Sequence, residues 1–223
     1  MKERKIKLPL ISTFLGLAIL AHSQGVVSFS QYTLGGGSNG KDQVQGWEFI
    51  PTTDLTVLKL GLYDGRSSGG FKQSHEVAVW DRAGNLIAST LIPQGASASL
   101  LDNFRYEEIP PVQLDAGETY VIGEFSATPV PDYHVLWERS ALTNGIVSLD
   151  PRIEFVAYRE GASPGGISFP QSRFVDYVGC FGPNFIVDAP EPSSFTLLCG
   201  MGAVSLVRIL QIRGRKMPPN KIE

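Results

Sequence analysis

His75-Glu76-Val77-Ala78-Val79-Trp80-Asp81-Arg82-Ala83-Gly84-Asn85-Leu86-Ile87-Ala88-Ser89-Thr90-Leu91 is the stretch on which the fold turns. Its first half alternates with a period of two, Val77 and Val79 on one side and Ala78 and Trp80 on the other. Asp81 to Asn85 then supplies turn chemistry, with Gly84 free to take a positive φ, and Leu86 to Leu91 brings the chain back. Two extended segments joined by so short a turn read as an antiparallel hairpin.

The same period holds on either side. Thr56, Leu58, Leu60 and Leu62 fall on one face of a strand, with Lys59 opposite. Phe104 to Ile109 reads as a strand that Pro110-Pro111 ends, because proline donates nothing to a ladder. Val112-Gln113-Leu114 and Thr119 to Phe125 flank a turn at Asp115-Ala116-Gly117-Glu118, and Ile153 to Tyr158 and Arg173 to Val178 complete the set. No helical stripe of useful length lies between residues 24 and 188. Short strands punctuated by Gly and Pro predict an all-β fold, an antiparallel β-sandwich of jelly-roll-like kind.

Both ends differ in kind from this middle. Lys2, Arg4, Lys5 and Lys7 precede an apolar run from Leu8 to Leu20, and Ala21-His22-Ser23 puts small residues where a signal peptidase reads. The expected signal peptide is residues 1–23, cut between Ser23 and Gln24. At the far end Pro190-Glu191-Pro192 enforces an extended segment. Ser193 or Ser194 can cap a helix that begins near Phe195. Phe195 to Val207 is thirteen apolar residues, short of the roughly 20 that span a bilayer. Ile209, Leu210 and Ile212 extend the membrane helix to about 195–212 when Arg208 snorkels. Arg208, Arg213, Arg215 and Lys216 form a basic stop.

This tripartite tail resembles the PEP-CTERM sorting signal of exported proteins of Gram-negative bacteria. The resemblance implies two processing enzymes, signal peptidase and a membrane-embedded exosortase. It also implies a transient single-helix anchor in the inner membrane, then delivery to the cell surface or extracellular matrix. On this reading the chain comprises a signal peptide (1–23), a β-sandwich domain (24–188), a sorting signal (189–216) and a cytoplasmic tail (217–223).

Removing both signals changes the charge balance. Residues 24–188 hold ten Lys and Arg against nineteen Asp and Glu, a net charge of −9, whereas the whole chain carries −3. An acidic domain argues against nucleic acid, whose phosphates call for clustered cations. Cys180 lies in the domain and Cys199 in the tail, so no internal disulfide is expected, although an exported compartment would permit one.

Gly46-Trp47-Glu48-Phe49, Leu60-Gly61-Leu62-Tyr63-Asp64, His75 to Asp81, Phe104-Arg105-Tyr106 and Ala116 to Gly123 carry a second resemblance. In that order they look like the uncharacterised β-sandwich domain DUF4082, which accompanies bacterial carbohydrate-active and surface proteins. The resemblance covers roughly residues 46–124. It implies a fold and no catalytic residue.

Candidate site residues are few. His75 and Asp64, on either side of a Gly-rich loop, could flank a ligand groove, or His75 could hold a backbone carbonyl and pin the loop. Asp54, Asp64, Asp81 and Asp102 sit near strand ends, where calcium ligands gather but where Asp also caps turns. No cofactor is expected, and calcium is the metal that these strand-end carboxylates could hold. Among the aromatic residues Trp47 and Trp80 read as core, while Tyr133 and Trp137 read as loop residues that could stack on sugar rings. Glu107-Glu108 cannot act as a glycosidase pair, since neighbours in a strand point to opposite sides. No catalytic residue is assigned. The expectation is a structural or adhesive protein of the cell surface or matrix with weak binding to matrix polysaccharide. The alternative is an extracellular polysaccharide-acting enzyme with a site around His75.

Overall fold

The computed structural model describes residues 24–30, 42–65, 69–127, 132, 136–137, 140–176 and 179–188. Outside them lie the signal peptide up to Ser23, Tyr133, the Pro190-Glu191-Pro192 motif, the membrane helix at about 195–212 and the basic stop Arg208, Arg213, Arg215 and Lys216. No helix among the described residues is long and apolar enough to cross a membrane.

The regular structure of the described chain is almost entirely strand. In order run β1 (Val27–Phe29), β2 (Gln43–Pro51), β3 (Leu55–Tyr63), β4 (His75–Asp81), β5 (Leu86–Ile92), β6 (Ser99–Leu101) and β7 (Phe104–Leu114). They continue with β8 (Tyr120–Ser126), β9 (Leu136–Trp137), the single-turn helix α1 (Ser140–Thr143), β10 (Val147–Leu149) and β11 (Ile153–Ala162). The last are β12 (Ser172–Phe174), β13 (Gly179–Cys180) and β14 (Pro183–Val187). A six-stranded sheet has the order β12-β11-β2-β8-β4-β5 and a four-stranded sheet the order β14-β3-β7-β6. Two-stranded ribbons, β1-β10 and β13-β9, accompany them. Every ladder is antiparallel.

One core joins the two large sheets. Trp47, Phe49, Val77, Val79 and Ile122 from the first pack with Leu55, Val57, Leu60, Leu114 and Phe185 from the second. The Phe49 and Phe185 rings meet at 5.0 Å between centroids, and Trp47 donates its indole N–H to the Pro183 carbonyl at 2.9 Å. An aromatic cluster with its one polar edge satisfied is a dense way to fill a sheet-to-sheet interface. Ala78 and Trp80, on the opposite face of β4, join a second small cluster with Val44 and Val121 under Ile167 and Phe169. This explains why β4 is apolar on both sides. Among the described residues both clusters draw on the chain from Val26 to Val187.

The β4–β5 hairpin turns at Asp81–Asn85 with Gly84 at φ 89°. Two expectations nearby are corrected, both by one bulge. Where Val57 and Lys59 of β3 pair with Val112 and Glu108 of β7, Leu58 stands against Ile109, Pro110 and Pro111. The prolines therefore do not end the strand, because a bulge needs no ladder donor from them. Beyond Tyr106, β7 pairs on its β6 side with no strand among the described residues, so no ladder there calls on the missing N–H groups either. The same bulge shifts the phase of β3. Leu55, Val57, Leu60 and Leu62 are buried in the core, whereas Thr56 and Leu58 are not. Trp137 is also corrected, from loop to strand, because its backbone pairs with Gly179.

The two ends of the unit meet. Gly25 bridges Ile186, and Val26 N–H donates to the Phe185 carbonyl at 3.0 Å. At the exit the Asp188 amide donates to the Thr56 carbonyl at 3.0 Å, and its carboxylate accepts the Thr56 amide at 3.2 Å.

Candidate functional site

Alternation within β4 and β8 carries titratable residues into the interior. His75 shares the parity of Val77 and Val79, and Glu124 that of Tyr120 and Ile122, so both point where the core lies. Each is 1 % exposed. His75 Nε2 lies 3.1 Å from Asp132 Oδ2, a hydrogen bond, and His75 Nδ1 lies 3.7 Å from Glu124 Oε2, an ion-pair distance beyond hydrogen-bond reach. Asp132 accepts the Lys72 amide at 3.0 Å and the Gln73 amide at 3.2 Å. The ring edge of Phe71 closes on His75 at 4.9 Å. His75 thus anchors the entry into β4 through a carboxylate, not through a backbone carbonyl. The carboxylate can take the imidazole and two amides together, which one carbonyl cannot.

The electrostatics follow from burial. Burial alone would raise the Asp132 carboxyl, but the His75 ring and the two amides outweigh it and hold the group below the ordinary aspartate value. Tyr158 accepts Gln45 Nε2 at 3.1 Å and donates to Glu160 at 2.7 Å, and burial, then the neighbouring Cys180 thiol, pushes its phenol up. Cys180 is fully buried, and burial followed by the Glu124 carboxylate pushes its thiol up. A thiol held protonated is a poor nucleophile. At 1 % exposure His75 is closed off from solvent, so the cluster offers no open face to a ligand.

Asp64 is engaged elsewhere. It pairs with Arg105, whose Nε donates at 2.6 Å, while Arg105 Nη1 donates to the carbonyls of Ala96 and Ala98 at 3.0 and 3.1 Å. Both partners are 2 % exposed. Asp64 and His75 therefore sit in two separate buried clusters, one with Arg105 and one with Asp132, and do not flank one open groove. Asp54 accepts the Ala116 amide at 2.9 Å, and Asp81 accepts the Asn85 amide at 2.9 Å. Asp102 occupies the turn before β7 at φ 50°. Among the described residues no three His, Cys, Asp or Glu side chains form a group that could hold a metal ion.

The partners Glu124 and Asp132 are absent from the sequence reading, and Arg105 enters it only within Phe104-Arg105-Tyr106, not as the partner of Asp64. For Glu124 the signal was available, since a lone carboxylate at the core parity of an apolar strand needs a buried counter-charge. Asp132 lies 57 residues from His75, and nothing local announces that contact. No family model matches this chain, and no curated protein matches it.

Proposed function

We propose that this chain is an exported structural or adhesive module, a β-sandwich of jelly-roll-like kind carried between an N-terminal signal peptide and a PEP-CTERM sorting tail. Signal peptidase and an exosortase process it. After a transient stay in the inner membrane it is delivered to the cell surface or matrix. The sorting signals are read from sequence, on Ser23-Gln24 and on Pro190, Glu191 and Pro192.

The observation that carries the reading is the way the two ends of the unit hold each other. The residues next to the expected cut, Gly25 to Val27, hydrogen-bond to β14, which leads to the sorting motif. Cross-strand bonds between entry and exit tie down the strand from which the sorting tail leaves. The burial of Trp47, Trp80, Tyr63, Tyr106 and Tyr158 also favours a scaffold, because it leaves these rings to packing and not to ligand stacking.

The test is fractionation of an exosortase-competent host expressing the full chain or a chain lacking residues 190–216. The full chain is expected in the surface or matrix fraction and the truncated chain in the periplasm. Equal distribution of the two would refute the proposal.

A further inference from the structure

The outer face of the six-stranded sheet is only partly covered. Ile167 and Phe169 cap one region of it. Another region is an open groove of about 410 Å³, within the roughly 300–1,000 Å³ of ligand clefts. Arg82, Arg159 and Arg173 surround Glu48 there, with Ile50 and Val156 as apolar lining.

The charges do not balance. Arg159 and Arg173 are direct cross-strand partners, an arrangement of like charges that is unfavourable without a counter-ion. Glu48 Oε2 accepts both, Arg159 Nε at 2.7 Å and Arg173 Nε at 2.8 Å. Arg159 is further fixed by the Phe169 ring, 5.4 Å from its guanidinium carbon. One carboxylate thus answers two guanidinium groups, and exposed Arg82 adds a third cation. Among the described residues neither Arg82 nor the terminal nitrogens of Arg173 have a hydrogen-bond partner. A domain of net charge −9 therefore lines this groove with three cations and one carboxylate, with donors left over, and exposed Glu154, the cross-strand partner of Ile50, stands at its margin.

We propose that this groove binds the carboxylate of an acidic sugar, a uronate unit of a short chain or a chain end. A guanidinium fork matches a carboxylate in plane and spacing. Ile50 and Val156 offer the C–H face of a sugar ring an apolar surface, and Thr119 lines the same groove. The remaining acidic surface is screened from the groove beyond about 8 Å at physiological ionic strength. It still disfavours a long, dense polyanion such as nucleic acid. The inference rests on the proposed reading of an exported matrix module and names the ligand class of that module.

The test is titration calorimetry of the purified full chain with trigalacturonate, maltotriose and a sulfated disaccharide. Trigalacturonate is expected to bind at low salt and to weaken as salt rises, and maltotriose is expected not to bind. In an Arg82→Gln, Arg173→Gln variant the affinity should fall by about tenfold or more. Arg82→Gln alone, at an exposed turn residue, carries the test where the double variant does not fold. No binding of trigalacturonate, or equal binding by the variants, overturns the proposal. Tighter binding of the sulfated sugar overturns the carboxylate assignment. Either failure with surface sorting intact leaves the structural role standing, because fractionation reads sorting independently of the groove.

Discussion

Asn184 holds Val27 by both of its backbone groups. The Val27 amide donates to Asn184 Oδ1 at 3.0 Å, and Asn184 Nδ2 donates to the Val27 carbonyl at 2.9 Å. Nδ2 also donates to the Tyr106 hydroxyl at 2.9 Å, and Oδ1 takes the Phe185 amide at 2.8 Å. A fully buried amide thus spends all four of its capacities joining entry strand, exit strand and β7.

Asn184→Leu keeps the volume and removes every one of these bonds. Each orphaned buried group costs about 1–3 kcal/mol, and at this size each kcal/mol lowers the melting temperature by roughly 2–4 °C. Calorimetry of 24–188 should show a loss of at least that size. An unchanged melting temperature would mean that the entry segment is not held as described.

His75→Ala should act on stability and not on ligand binding. The substitution takes from Asp132 its imidazole partner at 3.1 Å and should cost about 1–3 kcal/mol. Binding of any glycan by the folded variant should be unaltered. Unchanged melting together with loss of a measured hydrolytic activity would instead support an enzyme built around His75.

Acid should weaken the fold below about pH 4. For Asp150, as for Asp132, burial alone would raise the carboxyl, and the Arg152 guanidinium and amide outweigh it. Both folded values lie below the unfolded value of about 3.9. Such groups stabilise fully above the unfolded value and lose that contribution as pH falls through the folded one. Denaturant midpoints measured from pH 7 to pH 2 should therefore fall mainly at the acid end, and Asp132→Asn should flatten that slope. A slope that the variant leaves intact would place its origin in other groups.

Cys180 should be silent until the fold opens. It is buried, and it is the one cysteine of 24–188. A thiol reagent should find no reactive group in native 24–188 and one in denaturant, and reductant should leave the melting curve where it is. Rapid labelling of the native unit would show that burial of the thiol is not maintained.

How far the fold is legible depends on how local its cause is. The β4–β5 hairpin is written into Asp81–Asn85, where turn chemistry and alternation sit within a few residues. The β3–β7 pairing is not, because the bulge opposite Leu58 is a property of two strands about fifty residues apart. Leu58 therefore looks like core, and Pro110-Pro111 looks like an end. The site divides in the same way. Val77 and Val79 mark the face that takes His75 inward, but the carboxylates it meets come from β8 and from Asp132 in the following segment. Arg105 stands between Phe104 and Tyr106, and its partner Asp64 lies at the end of another strand.

The most direct measurement is intact-mass spectrometry of the protein recovered from an exosortase-competent host. The account predicts a chain beginning at Gln24 and lacking everything beyond the Pro190–Pro192 region. A mature chain that still ends at Glu223 would contradict it.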